Sequence, residues 1–183
     1  QSTMPHPDTI VFNVAIDALA KSGAEDAPQR AEALLQKMKD LTNDGWKNLK
    51  PNGKTYYTVM SAWANSQQPG AAHRAEVLLK ESPEPSAISF NIVMDAWSKS
   101  QSRDAPEHAE ALLTEMESLH LFPDKISYST VITAWTKSGR TEAVDRAKAL
   151  LARLQDKVKK GKENLHPDTN VYNTLFQALV VNN

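Results

Sequence analysis

Few residues in this chain are of a type and spacing suited to catalysis. His108-Ala109-Glu110 supplies half of the signature of a zinc deaminase, in which a histidine holds the metal and a glutamate moves protons. That chemistry also needs two cysteines, and the chain has none. The lack of cysteine equally excludes a disulfide, a thiolate nucleophile and a Cys-ligated zinc. The five histidines are scattered, with no pair at metal-ligand spacing, and are expected at the surface. No glycine-rich phosphate loop, serine-centred elbow or carboxylate dyad stands out. The chain is therefore expected to be non-catalytic, with no cofactor and no metal.

What remains is binding chemistry. Net charge is −1 at pH 7, which argues against a strongly basic nucleic-acid binder. The charge is uneven, however. Residues 87–124 carry 2 basic and 7 acidic side chains, and residues 125–168 carry 10 basic and 5 acidic. A local basic surface can still meet phosphates, although a run such as Lys157-Val158-Lys159-Lys160 also reads as a solvated helix face. Trp63, Trp97 and Trp135 could stack on bases, but at helical positions between small residues they read as packing residues between neighbouring elements.

The elements that position these residues recur. Phe90-Asn91, leading to Ala96-Trp97-Ser98-Lys99-Ser100, has variants at Phe12-Asn13, Tyr56-Tyr57, Tyr128-Ser129 and Tyr172-Asn173. Aligned on Ile16, Met60, Met94, Ile132 and Phe176, the steps are 44, 34, 38 and 44 residues. Such self-similarity marks stacked repeats. A second helix completes each of the first four units: Ala31, Leu34, Leu35 and Met38; Ala75, Leu78 and Leu79; Ala109, Leu112, Leu113 and Met116; Ala147, Leu150, Leu151 and Leu154. Each set makes one apolar stripe at helical spacing. The first helix, with Ile10, Phe12, Val14, Ala15, Ile16, Ala18 and Leu19, is apolar on more than one side and suits a place between neighbours. Gly23 is expected to stop it, and Asp26-Ala27-Pro28 to open the next. Every unit is entered by proline plus a capping residue: Pro7-Asp8, Pro51-Asn52, Pro85-Ser86, Pro123-Asp124 and Pro167-Asp168. The division is a lead-in at 1–8, units at 9–52, 53–86, 87–124 and 125–168, and the first helix of a fifth unit at 169–183. Nine helices and no sheet are expected, with the last second helix running to Gly161.

No apolar run is long enough to span a bilayer. The chain opens on Gln1 without a secretory pattern, so it is expected to be cut from something longer. Val171, Tyr172, Leu175, Phe176 and Leu179 would then leave an apolar face waiting for a second helix.

The combination of aromatic-Asn, Lys-Ser-Gly, Ala-Glu-Ala-Leu-Leu and a Lys-Pro-Asn or Pro-Asp exit resembles the pentatricopeptide repeat (PPR) family over essentially the whole chain. The steps depart from the family's usual period through insertions such as Asp40 to Asn48 and Lys157 to Leu165. The resemblance implies an all-α, right-handed α-solenoid of stacked antiparallel helix pairs, with first helices on the concave side. It implies single-stranded RNA as partner, about one base per repeat, and a place in mitochondrion or chloroplast. By the same resemblance bases are read by Asn13 with Asn52, Tyr57 with Ser86, Asn91 with Asp124, and Ser129 with Asp168; Asn173 has no partner. The implied bases are a pyrimidine, an undefined base where Tyr57 replaces a small polar residue, U, and G, running 5′ to 3′. Ile10, Lys54, Ile88, Ile126 and Asn170 would clamp bases, although Lys54 and Asn170 are not apolar. Lys21, Lys99 and Lys137 would contact phosphates, a series that Asn65 interrupts. Two alternatives stand beside this: a helical-repeat scaffold for a protein or peptide, as in tetratricopeptide arrays, and a tether for an enzyme encoded elsewhere. The Trp-x-x-Leu-Gly-x-x-Tyr signature of tetratricopeptide arrays is missing.

Overall fold

A computed structural model describes residues 8–160 together with Thr169, Tyr172, Asn173 and Phe176. Among these residues there are eight α-helices and no strand: α1 (Thr9–Lys21), α2 (Ala27–Asn43), α3 (Gly53–Ser66), α4 (Ala71–Glu81), α5 (Ala87–Lys99), α6 (Ala105–Ser118), α7 (Lys125–Lys137) and α8 (Ala143–Lys159). Thr169, Tyr172, Asn173 and Phe176 are helical, and all four are exposed. The rest of the expected ninth helix, including Val171, Leu175 and Leu179, lies outside the described residues. No described helix is long and apolar enough to cross a membrane.

The chain forms two compact units, Gln1–Pro85 and Ser86–Asn183. In the first, α1 packs on α2 and α3, α2 on α3, and α3 on α4. In the second, α5 packs on α6 and α7, α6 on α7, and α7 on α8. Neighbouring helices thus pair as the repeat pattern requires.

Local chemistry sets the helix starts. The four odd-numbered helices begin on the expected caps. The side chains of Asp8, Asn52, Ser86 and Asp124 accept from the backbone N–H of Val11, Thr55, Ser89 and Ser127 at 2.9 to 3.2 Å. Each satisfies a donor that the first turn would otherwise leave open. The second helices start differently. Proline occupies the first turn of α2 and α6, where its missing N–H costs nothing. Before α4 the chain turns through Gly70 at φ +79°, a conformation that favours glycine.

The predicted stripes form the core. Ala31, Leu35 and Met38 of α2, Ala75, Leu78 and Leu79 of α4, Ala109, Leu112, Leu113 and Met116 of α6, and Ala147, Leu150, Leu151 and Leu154 of α8 are all buried. Leu34 is half-buried. The insertions lengthen second helices: α2 and α8 have 17 residues each, against 11 in α4. After α2 the surplus also makes a short 3-10 helix, Lys47–Leu49, which buries Leu49. Helix α8 ends at Lys159 with Lys160 as its C-cap, and the expected stop, Gly161, lies outside the described residues. Helix α1 differs from expectation. It buries Phe12 and Ile16 but leaves Ile10, Val11 and Val14 exposed, because α2 and α3 cover only one side of it among the described residues.

The tryptophans tie three helices together in each unit. Trp63 of α3 donates its indole N–H to Glu32 of α2 at 2.8 Å, and Arg74 of α4 bonds the same carboxylate. Trp135 of α7 donates to Glu110 of α6 at 2.8 Å, and Arg146 of α8 lies 3.4 Å from that carboxylate. Trp97 and Trp135 are buried and Trp63 half-buried, in line with a packing role. The histidine-glutamate pair is accounted for in the same way. The His108 ring stacks on Trp97 at 4.1 Å, and Glu110 holds Trp135.

A second ionic cluster joins α6, α7 and α8. Glu117 accepts from Tyr128 Oη at 2.7 Å, pairs with Lys157 at 2.7 Å, and bonds Arg153. Burial alone would push the Glu117 carboxyl up. The bonds from Lys157 and Tyr128 and the charge of Arg153 outweigh it and hold the group below the usual carboxylate range. A carboxyl depressed in the folded state stabilises the fold at every pH above its unfolded value, and that contribution drains away as pH falls through the folded value. Glu117→Gln should therefore flatten the acid limb of the melting-temperature profile below about pH 4.5. Parallel profiles of wild type and variant across that limb would show the cluster to be inert.

Candidate nucleic-acid interface

The short polar residues singled out in the sequence are gathered by the starts of the odd-numbered helices. Asn13 sits in the second turn of α1, and Asn52 caps α3. Between them stands Thr55, three residues into the cap, whose Oγ1 lies 2.7 Å from Asn13 Oδ1 and 3.1 Å from Asn52 Oδ1. In the second unit Asn91 of α5 and Asp124, the cap of α7, are joined in the same way by Ser127. Its Oγ lies 2.7 Å from Asn91 Oδ1 and 3.0 Å from Asp124 Oδ1. A long contact of 3.5 Å also runs from Asn91 Nδ2 to Asp124 Oδ1. In both places the hydroxyl accepts the cap residue's own N–H at 3.1 Å, completing a capping box. Two separate units thus build an asparagine, a hydroxyl and a capping side chain into one polar cluster.

Access differs between the clusters. Asn13 is buried and Asn91 half-buried, while Asn52 and Asp124 are exposed. Tyr57 is partly exposed, at 39%, on α3, and half-buried Ser86 caps α5. Ser129 is half-buried and bonds back to the Ile126 carbonyl at 3.0 Å; its expected partner Asp168 lies outside the described residues. Asn173 is exposed.

The residues expected to clamp bases lie one turn before those expected to read them. Ile10, Ile88 and Ile126 are 70, 62 and 55% exposed, and Lys54 is exposed. Asn170 is outside the described residues. An isoleucine more than half in water at the same register of three helices leaves apolar surface available to a base face.

The three lysines end α1, α5 and α7. Lys21 pairs with Asp17 at 2.7 Å, and Lys99 with Asp95, each one turn back on its own helix. Exposed pairs of this kind contribute about 0–1 kcal/mol, so a phosphate can compete for either lysine. Thr133 takes the place of the aspartate before Lys137. Lys137 instead lines a cleft of about 180 Å³ with Arg103, Ser98, Ser102 and Ser138. No group of histidine and carboxylate side chains among the described residues is placed to hold a metal ion.

Sequence reading missed Thr55 and Ser127. Their spacing from the caps, Asn52-x-x-Thr55 and Asp124-x-x-Ser127, is the signal that could have found them. No protein-family model matches the chain, and no curated protein matches it.

Proposed function

We propose that the chain is a pentatricopeptide-type array that binds single-stranded RNA, reading about one base per repeat. The observation that carries this is the repeated cluster of asparagine, hydroxyl and cap in both units, at the positions where the resemblance places base reading. Exposed isoleucines stand beside the clusters, and short polar side chains of this kind suit the Watson–Crick edges of unpaired bases. In this reading the helix pairs stack into a right-handed solenoid with first helices inward. The protein then serves RNA processing, stability, editing or translation in mitochondrion or chloroplast, and does no catalysis itself. Readers Asn13 with Asn52 and Asn91 with Asp124 select a pyrimidine and U; Lys21, Lys99 and Lys137 hold phosphates.

A scaffold for a protein or peptide partner is the second reading, and the net charge of −1 favours it. Titration of short RNAs of varied sequence against salt separates the two. Three lysine–phosphate contacts at roughly 0.7 each in a single strand predict that log K falls with log salt at a slope of about −2. Binding that is absent, or equal for every RNA sequence, removes the RNA reading.

A further inference from the structure

The polar cluster at the start of α7 has a direction. The Ser127 hydroxyl accepts the Asp124 N–H at 3.1 Å and has one proton to give. Asn91 Oδ1 at 2.7 Å is a nearer acceptor than Asp124 Oδ1 at 3.0 Å. The opposite amide orientation would bring the Asn91 oxygen to the 3.5 Å from Asp124 Oδ1 where Nδ2 now stands, setting two acceptors against each other. The hydroxyl and the carboxylate therefore agree on one orientation of Asn91, with its carbonyl oxygen turned inward.

We infer that Ser127 is a specificity-positioning residue: it ties up the Asn91 carbonyl so that a ligand meets only the amide N–H donors, beside the Asp124 carboxylate. All the Asp124 side-chain bonds within this cluster use Oδ1, which leaves Oδ2 as the acceptor for a ligand. A donor next to an acceptor fits a base edge that carries a carbonyl beside an N–H, as uracil does. Cytosine, with an acceptor at N3, would face the carboxylate with a second acceptor. Thr55 holds Asn13 by the same 2.7 Å bond, but there the neighbour is the neutral Asn52. In the first unit the hydroxyl sets the amide without help from a charge.

This inference rests on the RNA-binding reading, and the test keeps the two apart. The probes are short RNAs differing only in U or C at the base where Asp124→Asn alters the ranking. Ser127→Ala should collapse U-over-C discrimination by roughly tenfold, the scale of one well-made polar contact to a base. Ser127→Thr should restore it, and discrimination at other positions should stay as in wild type. Thr55→Val, with Thr55→Ser as the rescue, should likewise weaken the pyrimidine preference at the base read by Asn13 with Asn52, measured with RNAs that differ there in pyrimidine or purine, so a second site reports if one variant folds poorly. In unsubstituted protein the Asn91 side-chain amide resonances should shift when uridine-containing RNA is added. Full discrimination in Ser127→Ala, an equal loss at every position, or unmoved Asn91 resonances on a bound RNA would each overturn the positioning role alone. If unsubstituted protein shows no base preference, the RNA reading and this inference fail together.

Discussion

Trp135→Ala is expected to lower folding stability by about 3–5 kcal/mol, the range for truncating a large buried aromatic. The side chain is 2% exposed, so a cavity is left where it stood. The change also strips a hydrogen bond from Glu110 and leaves Arg140 and Arg146, which lie 5.4 and 5.6 Å from the ring centre, without their aromatic surface. A base-stacking tryptophan would behave differently. Its loss would cost about 1–3 kcal/mol of RNA affinity per base and little stability. Urea unfolding followed by circular dichroism, beside RNA affinity measured where the variant is still folded, distinguishes the two roles. A stability change below about 1 kcal/mol would place the ring outside the core.

The second large effect is expected at Asp124. Asn caps a helix about as well as Asp, so Asp124→Asn should leave the start of α7 and its melting temperature nearly unchanged. The ligand side does change. A carboxylate offers acceptors only, whereas an amide also offers donors. In the proposed reading the base opposite Asn91 then shifts from U toward C by roughly tenfold or more in relative affinity. Competition between RNAs that differ at that base measures the shift. An unaltered ranking would reduce Asp124 to a helix cap, a role its 2.9 Å bond to the Ser127 N–H already explains.

Most of the fold was legible because helical periodicity and capping are local. Ala109, Leu112, Leu113 and Met116 fall on one face whatever packs against it, and all four are buried. Pro123-Asp124 marks the start of α7 by the chemistry of the cap alone. The exposed side of α1 was not legible, since Val11 and Val14 carry the same apolar signal whether or not a neighbour covers them. The polar clusters were legible in part. Asn91 and Asp124 were paired by resemblance, whereas the hydroxyl between them was passed over: Ser127 carries no apolar or charge periodicity, and only its capping-box spacing from Asp124 announces it. The ionic clusters were the least visible. Glu117 meets Arg153 across 36 residues, and only packing brings them together.

One pairing recurs with its signs exchanged. In the first unit Lys39 of α2 pairs with Glu81 of α4 at 2.6 Å and lies over the Tyr56 ring. In the second unit Glu117 of α6 stands where Lys39 does, following the buried methionine, and Arg153 of α8 stands where Glu81 does. The intervening aromatic is Tyr56 in one case and Tyr128 in the other. A chimera that set α6 in front of α4 would confront Glu117 with Glu81, and one that set α2 in front of α8 would confront Lys39 with Arg153. Like charges at such a junction repel, whereas each native order attracts. The repeats are thus not interchangeable tiles. The polarity of this bond marks these two junctions, and it disfavours their assembly in the opposite order when copies of so similar a sequence are shuffled.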